Sequence, residues 1–200
     1  MKLQERLPEH ITLGRKKYRV DLDFRNVLRM IDELARNDLL PAARDWRALH
    51  CVMRRPPRDT QAALAAIRAI CFPAADTPPD GKKVTSFEQD ADLIRAAFRQ
   101  TYQIDLWRDK LHWIEFSALL AGLPEGSRYS EIIGIRARPM PKATKYNAEE
   151  RKWLTEAKAR YAIKMTEEEV RASYDRGVLD VFHALLGMAR KQTQETKEVK

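Results

Sequence analysis

Closely spaced carboxylates are the first feature of this sequence that could do chemistry. Asp90 stands two residues before Asp92, Glu149 precedes Glu150, and Glu167 begins a run of three glutamates. Two carboxylates can act as a general acid and a general base, but these groups all fall in the first turns of predicted helices, where negative charge offsets the helix dipole. A glycosidase-type site also needs a polar, aromatic cleft, which the sequence does not indicate. The acids therefore predict helix starts.

Histidine and cysteine could ligate a metal or supply a nucleophile. No two of the four histidines stand three or four residues apart; they are His10, His50, His112 and His183. Cys51 follows His50, but Cys71 lies twenty residues on, so the four ligands of a tetrahedral zinc site are not in place. We predict two buried cytosolic thiols, no metal and no other cofactor.

Sequence motifs of enzymes and of membrane proteins are also missing. The sequence has no Gly-x-Ser-x-Gly elbow, no Walker loop and no Gly-x-Gly-x-x-Gly, so we predict a protein without catalytic activity. No stretch approaches 18 uncharged apolar residues, and residues 1–8 lack the apolar core of a signal peptide. These features predict a cytoplasmic protein.

The formal net charge of +8 raises nucleic acid as a partner. The excess of basic residues lies towards the two ends of the chain and is interleaved with acids. The basic clusters at 15–17, 54–58 and 142–145 are not interleaved with aromatic residues, as stacking platforms for single strands are. A solvated surface of mixed charge is favoured, and nucleic-acid binding stays as an alternative.

A small β-hairpin is predicted near the start of the chain. Pairing Leu13 with Tyr18 and Ile11 with Val20 puts four apolar side chains on one face and leaves a four-residue loop headed by Gly14. Two strands alone are marginally stable, so we expect the hairpin to lie against helices.

Apolar residues at helical spacing predict a mainly α-helical fold. The predicted helices span 24–34, 42–53, 60–71, 86–102, 110–123, 130–136, 148–163 and 167–190. Asp23 is expected to cap the first helix, and Ser86 with Gln89 and Asn147 with Glu150 have capping-box spacing. Residues 73–83 are rich in proline and predict a loop.

Two units follow from this pattern. Residues 1–136 form a helical core domain with the N-terminal hairpin. Residues 137–200 form a linker, a C-terminal αα-hairpin and a frayed tail. Within the first unit, we assign Trp113 and Phe116 to the core, with a role as anchors for a partner as the alternative.

The last predicted helix carries an apolar stripe that its neighbour cannot cover. The predicted partner-binding residues are Val170, Tyr174, Val178, Val181, Phe182, Leu185 and Leu186. Helix 148–163 offers mainly Trp153, Leu154, Ala157 and Tyr161 against this stripe. Uncovered apolar surface of this extent predicts contact with another copy, with the core domain or with a client helix.

Several short motifs, taken in order, resemble the bacteriophage protein family named after gene product fifteen of phages that infect Gram-positive bacteria. The pattern covers about residues 8–163. Its matching positions are Gly14, Tyr18, Asp23, Phe24, Arg25, Asp90, Asp92, Leu93, Ile94, Phe98, Tyr102, Ile104, Asp105, Leu106, His112, Trp113, Phe116, Ser130, Glu131, Ile132, Ile133, Gly134, Ile135 and Arg136. We expect structural roles for Asp23, Phe24, Arg25, Asp92, His112, Trp113, Phe116, Glu131, Gly134 and Arg136.

The resemblance implies a protein of the tail module, similar in role to tail assembly chaperones. Such chaperones coat the helical tape-measure protein until tail tube subunits replace them. The implied partner is therefore the tape-measure protein, with the tail tube protein and self-association as further candidates. A chaperone of this kind works in the host cytoplasm and is absent from the mature virion. The alternatives are a basic nucleic-acid-binding phage protein and a tail or connector component that stays in the virion.

Overall fold

Two strands and seven helices make up the described part of the chain. The computed structural model describes residues 4–72 and 84–164, and its elements follow the order of the sequence. They are β1 His10–Leu13, β2 Lys16–Arg19, α1 Phe24–Leu34, α2 Pro41–Val52, α3 Thr60–Cys71, α4 Ala91–Tyr102, α5 Trp113–Ala121, α6 Arg128–Ala137 and α7 Ala148–Arg160. The predicted fold class, mainly α with a small N-terminal hairpin, is confirmed. The predicted loop 73–83 and the predicted helix 167–190 lie outside the described residues.

The hairpin differs from its predicted register by two residues. Ile11 lies opposite Tyr18 rather than Val20, and the loop is the two-residue pair Gly14–Arg15. Gly14 has φ +59°, a left-handed conformation that glycine adopts without the steric penalty of a Cβ atom. Because side chains alternate with a period of two, the shift leaves each one on its predicted face. Ile11 and Val20 are buried in the core as expected.

Aspartates fix the starts of two helices at the predicted residues. Asp23 accepts a hydrogen bond from the Arg25 amide at 3.0 Å, and α1 begins at Phe24. Asp59 accepts one from the Ala62 amide at 3.0 Å, and α3 begins after it. These side chains satisfy amides that have no partner within the helix. Both α1 and α3 also end where predicted.

The predicted capping box at Ser86 is only partly correct. Ser86 Oγ accepts from the Gln89 amide at 3.3 Å, but the Ser86 amide donates to the Asp90 carboxylate at 2.9 Å and not to Gln89. The Gln89 side chain instead binds the backbone of Lys164. Residues 86–90 therefore form a turn, and α4 begins at Ala91 rather than at residue 86.

Local caps also move the starts of α5 and α6. His112 has an extended backbone, and its Nδ1 accepts from the Ile114 amide at 3.2 Å, so α5 begins at Trp113 rather than at residue 110. Ser127 Oγ accepts from the Ser130 amide at 3.2 Å, so α6 begins two residues earlier than predicted.

The predicted capping box at Asn147 is wrong. Its side chain accepts from the Thr144 amide at 2.9 Å and donates to the Lys142 carbonyl at 2.8 Å, so it organises the linker rather than the helix end. Glu150 reaches across to Arg138 at 2.6 Å. The contacts of Asn147 with the linker and of Glu150 with Arg138 replace the predicted capping box. Helix α7 therefore begins at Ala148 without a side-chain cap.

Stacked aromatic rings form the centre of the core. Phe116 is 1% exposed, and its ring stacks on Phe24 at a centroid distance of 4.6 Å and on Phe98 at 5.3 Å. Trp113 is buried beside it and donates from Nε1 to the Cys71 carbonyl at 2.8 Å. The prediction that Trp113 and Phe116 belong to the core is confirmed by their burial. Parallel and tilted rings at these distances add to the stabilisation from area burial.

Helix α7 lies against α6. Leu154 is fully buried, while Lys158 Nζ donates to the Arg136 carbonyl at 2.8 Å. Arg136 in turn donates from Nε to the Tyr161 carbonyl at 2.6 Å. These contacts place the C-terminal end of α7 beside α6, while the predicted division of the chain at residue 136 stays a prediction.

We predict that Phe116→Ala lowers the free energy of unfolding by about 3–5 kcal/mol, because it leaves a cavity between the Phe24 and Phe98 rings. Urea denaturation followed by circular dichroism measures the change. Trp153→Ala, on the exposed side of α7, is the control and should change stability by less than about 0.5 kcal/mol. Unchanged stability of Phe116→Ala would contradict the core assignment.

Candidate interaction surface

Two of the short motifs form one structural unit. Asp23 and His112 face each other in an antiparallel bridge. The Phe24 amide donates to the Leu111 carbonyl at 2.9 Å, and the Trp113 amide donates to the Leu22 carbonyl at 2.7 Å. His112 Nε2 also lies 3.2 Å from the Pro8 carbonyl. The bridge sets the starts of α1 and α5 side by side and brings the Phe24 and Phe116 rings together.

Arg25 extends this unit to the turn before α5. Its guanidinium makes a forked contact with Asp23 at 2.9 and 3.0 Å and also donates to the carbonyls of Trp107 and Asp109, both at 3.2 Å. Burial alone would raise the pKa of Asp23, but the hydrogen bonds from Arg25 outweigh it and hold that pKa below its usual value. Arg25 therefore connects the start of α1 with the turn before α5.

Asp90 and Arg136 form a buried ion pair that sequence patterns did not predict. Asp90 is 1% exposed, and the two Nη atoms of Arg136 donate to its two oxygens at 2.7 and 2.9 Å. The pKa of Asp90 lies below its usual value: burial acts to raise it, but the hydrogen bonds from Arg136 and from the Ser86 amide act more strongly in the other direction. Asp90 stands at the start of α4, and the ion pair with Arg136 is a contact beyond that predicted position.

Three other motif residues lie at the surface. Asp92 is almost fully exposed and pairs with Arg95 at 2.9 Å, and Glu131 pairs with Arg128 at 3.1 Å. Gly134 lies on α6 with no other atom within 4 Å of where a Cβ would stand. Exposed ion pairs of this kind contribute little to stability. The described contacts therefore explain seven of the ten motif residues as structural, and they give no such account of Asp92, Glu131 or Gly134.

Large aromatic side chains stand exposed on the described surface. Trp46, Trp107 and Trp153 are 55%, 69% and 52% exposed, so three of the four tryptophans face solvent. Trp46 lies against His50 with ring centroids 3.9 Å apart, and the Arg95 guanidinium lies 4.9 Å from the centre of the Trp107 ring. No sequence pattern identified Trp46 or Trp107. Tryptophan is enriched among the residues that dominate binding at interfaces.

A shallow apolar groove opens beside Trp107, and we name it the α1–α4 groove. Its volume is about 190 Å³. It is lined by Phe24, Arg25, Leu28, Phe87, Ala91, Ile94, Arg95, Leu106, Trp107 and Phe116. Cofactor and small-molecule sites usually occupy roughly 300–1,000 Å³. The groove is therefore of a size to receive one or two side chains of a partner.

Cys71 and Asp45 are two further buried groups of the described residues that could do chemistry. Burial raises the pKa of the Cys71 thiol to about 12, so it stays protonated at neutral pH and is not a nucleophile there. A cleft of about 410 Å³ between α1, α2 and α3 contains Asp45, which accepts a hydrogen bond from Gln61. Across residues 4–72 and 84–164, no group of three or more His, Cys, Asp or Glu side chains could hold a metal ion.

Comparison with protein families decides the identity of this scaffold. The family model described as Bacteriophage Gp15 protein matches residues 3–163. The chain belongs to the bacteriophage Gp15 family. Membership of that family indicates a phage structural or assembly protein. No curated protein and no solved structure matches the chain.

The Gp15 match spans the hairpin and all seven described helices, but it ends before the predicted partner-binding residues. Those residues, from Val170 to Leu186, lie outside the described part of the chain, and their role stays a prediction. Among the described residues, no helix is long and apolar enough to cross a membrane.

We predict that Asp90→Asn lowers the free energy of unfolding at pH 7 by about 3 kcal/mol, because it leaves the buried Arg136 charge without its partner. The folded pKa of Asp90 is depressed, so its contribution is complete above the unfolded pKa of about 3.9 and is lost as the pH falls through the folded pKa. The difference between wild type and variant should therefore narrow in acid.

Urea denaturation at pH 7 and at pH 3 measures both parts of this prediction. Asp92→Asn is the matched control, because it makes the same change two residues away on an exposed side chain. That control should change stability by less than about 0.5 kcal/mol at either pH. An equal loss for Asp90→Asn at both pH values would contradict the role assigned to the ion pair.

Proposed function

We propose that this Gp15 protein is a non-enzymatic tail assembly chaperone that binds the apolar faces of tape-measure helices while the phage tail is built. The observation that carries the proposal is the exposure of three of the four tryptophans on a scaffold that belongs to a phage family. The protein acts in the cytoplasm of a Gram-positive host and leaves the assembly before the virion is complete. Self-association and contact with the tail tube protein belong to the same proposal.

An apolar helix is recognised through the repeating pattern of its side chains. A client helix presents side chains at positions i, i+3, i+4 and i+7, and a binding protein must offer aromatic or aliphatic surface of matching pattern. Trp46 on α2, Trp107 before α5 and Trp153 on α7 supply large contact area with few rotatable bonds. The predicted stripe from Val170 to Leu186 supplies a longer surface of the same kind.

Most motif residues with described contacts are occupied in holding the fold together. Arg136 is engaged by Asp90, Arg25 by Asp23, and Phe116 lies within the aromatic core. A side chain that already has buried partners would lose them on binding a client. Client contact therefore belongs to the exposed tryptophans and to the predicted stripe.

We predict that deleting residues 166–200 leaves the core folded and abolishes tape-measure binding and self-association, because the deletion removes the predicted stripe. Co-expression with the tape-measure protein measures binding as the fraction of client that stays soluble. Circular dichroism and sedimentation report on folding and self-association. Deleting only residues 191–200, beyond the stripe, is the matched control and should leave every readout unchanged.

Two outcomes of the deletion would contradict the role of the stripe. If the shortened chain unfolds, the segment is part of the core. If it folds and still keeps the client soluble, the binding surface lies within the residues that remain, and Trp46, Trp107 and Trp153 are the residues to replace by alanine.

Mass spectrometry of purified virions distinguishes the chaperone from a tail or connector component, since a chaperone should be absent from the particle.

We predict that the positive charge is not a nucleic-acid-binding site. Arg15 on the hairpin loop and Lys16 and Lys17 at the start of β2 are exposed, but no aromatic platform accompanies them in the sequence. Basic residues elsewhere are paired with acids, Arg36 with Asp38 and Arg47 with Glu33. Binding through phosphates would show an affinity that falls steeply with salt. Fluorescence anisotropy with labelled DNA and RNA at physiological salt should show no tight binding. Tight binding that is lost in Lys16→Gln/Lys17→Gln would overturn the chaperone proposal.

A further inference from the structure

The last described residue, Lys164, is bound to the turn that leads into α4. The side-chain amide of Gln89 holds the backbone of Lys164 at two points: it donates to the Lys164 carbonyl at 2.7 Å and accepts from the Lys164 amide at 2.8 Å. Gln89 is two residues from Phe87 and two from Ala91, and both of these line the groove. Since consecutive Cα atoms are 3.8 Å apart, the Cα atom of Gln89 lies within about 8 Å of the Cα atoms of both lining residues. The clamp therefore fixes where residues 165–200 leave the described fold.

The groove has the chemistry to bind an apolar helix. Its accessible apolar surface comes mainly from Leu28, Phe87, Ala91 and Trp107, because the other apolar lining residues are buried; these are Phe24, Ile94, Leu106 and Phe116. Phe87, Leu28 and Ala91 are only partly buried, so their apolar atoms remain open to a partner. A volume of about 190 Å³ receives one or two side chains from the apolar face of a helix.

The sequence after Lys164 provides such a face. Val170, the first residue of the apolar stripe, is six residues beyond Lys164, a distance of at most about 20 Å along an extended chain. The α1–α4 groove lies within this reach of the clamp, because Phe87 and Ala91, which line it, are each two residues from Gln89.

We propose that the α1–α4 groove is the docking site of the chain's own C-terminal segment, residues 167–190, which inserts side chains of its apolar stripe. The docked segment covers its stripe intramolecularly when no client is present. Docking itself does not depend on the proposed function. Its consequence, competition between the groove and a client helix for the same stripe, does rest on that function.

Limited trypsin proteolysis of the full chain, followed by mass spectrometry, tests the docking. The segment carries its own cleavage sites at Arg171, Arg176 and Arg190. Cleavage of a transiently opened segment follows the population of the open form. Ala91→Glu, which puts a charged side chain into the groove, should speed cleavage at these sites by about tenfold, equivalent to about 1.4 kcal/mol. Ala96→Glu, on an exposed position of the same helix, should leave it unchanged.

A second pair of variants tests the other side of the contact. Phe182→Ser should also speed cleavage at Arg171, Arg176 and Arg190, whereas His183→Ser, the next residue and off the stripe, should not. Because Phe182 lies outside the described fold, this pair keeps the proposal testable if Ala91→Glu fails to fold. Thermal unfolding of each variant identifies that case.

Three results would overturn the proposal. Equal cleavage rates for wild type, Ala91→Glu and Phe182→Ser would show that the segment does not occupy the groove. If Ala96→Glu speeds cleavage as much as Ala91→Glu does, the faster cleavage comes from a disturbance of α4 as a whole and not from the groove. Protection that increases with protein concentration would show that a second copy supplies the occupant. No tape-measure protein is present in this assay, so its failure is distinguishable from a failure of client binding.

Discussion

The ion pair between Asp90 and Arg136 is the interaction on which the second half of the described fold depends. Arg136 donates to the Asp90 carboxylate and to the Val84 and Tyr161 carbonyls, and its own carbonyl accepts from Lys158. One side chain thereby connects the turn before α4 with α6 and with the end of α7. Taking two charges out of water is costly, and this cost is offset only when the geometry is good and the remaining donors are satisfied. The forked contact and the two carbonyls meet both conditions.

In the N-terminal half, the bridge between Asp23 and His112 brings two helix starts together. The Phe24 and Phe116 rings, next to the bridge along these two helices, stack on each other. Each of the two polar residues also caps its own helix. The same few residues therefore set local helix starts and long-range packing together. In this chain, therefore, Asp23 and His112 have contacts within the fold at both levels.

Sequence patterns predicted the structure well where its cause was local. Helices α1 and α3 begin and end at the predicted residues, because Asp23 and Asp59 each cap an amide two or three residues away. Prediction failed at α4, where Asp90 takes over the Ser86 amide while it is bound to Arg136, 46 positions along the chain. The spacing of a capping box carries no information about a partner at that distance.

The candidate surface was less predictable than the fold. Trp107 and Trp113 lie six residues apart, yet the first is exposed and the second is buried against Cys71 and Phe116. The two tryptophans have the same hydropathy, so the packing of α3, α4 and α5 decides which one is buried. The register of the hairpin was missed for a related reason: a shift of two residues keeps the apolar face unchanged, so the pattern favours neither register.

The turn at residues 86–90 connects the buried ion pair with the proposed docking site. Asp90 anchors this turn to Arg136, Gln89 clamps the backbone of Lys164, and Phe87 lines the α1–α4 groove. The same five residues thus fix the exit of the C-terminal segment and one wall of its proposed docking site. A client helix that takes the stripe from the groove competes with that docking. Its apparent affinity is the intrinsic affinity multiplied by the fraction of chains in which the stripe is free. A weakly docked segment would therefore shield the stripe from non-specific association and still yield it to a client that binds more tightly.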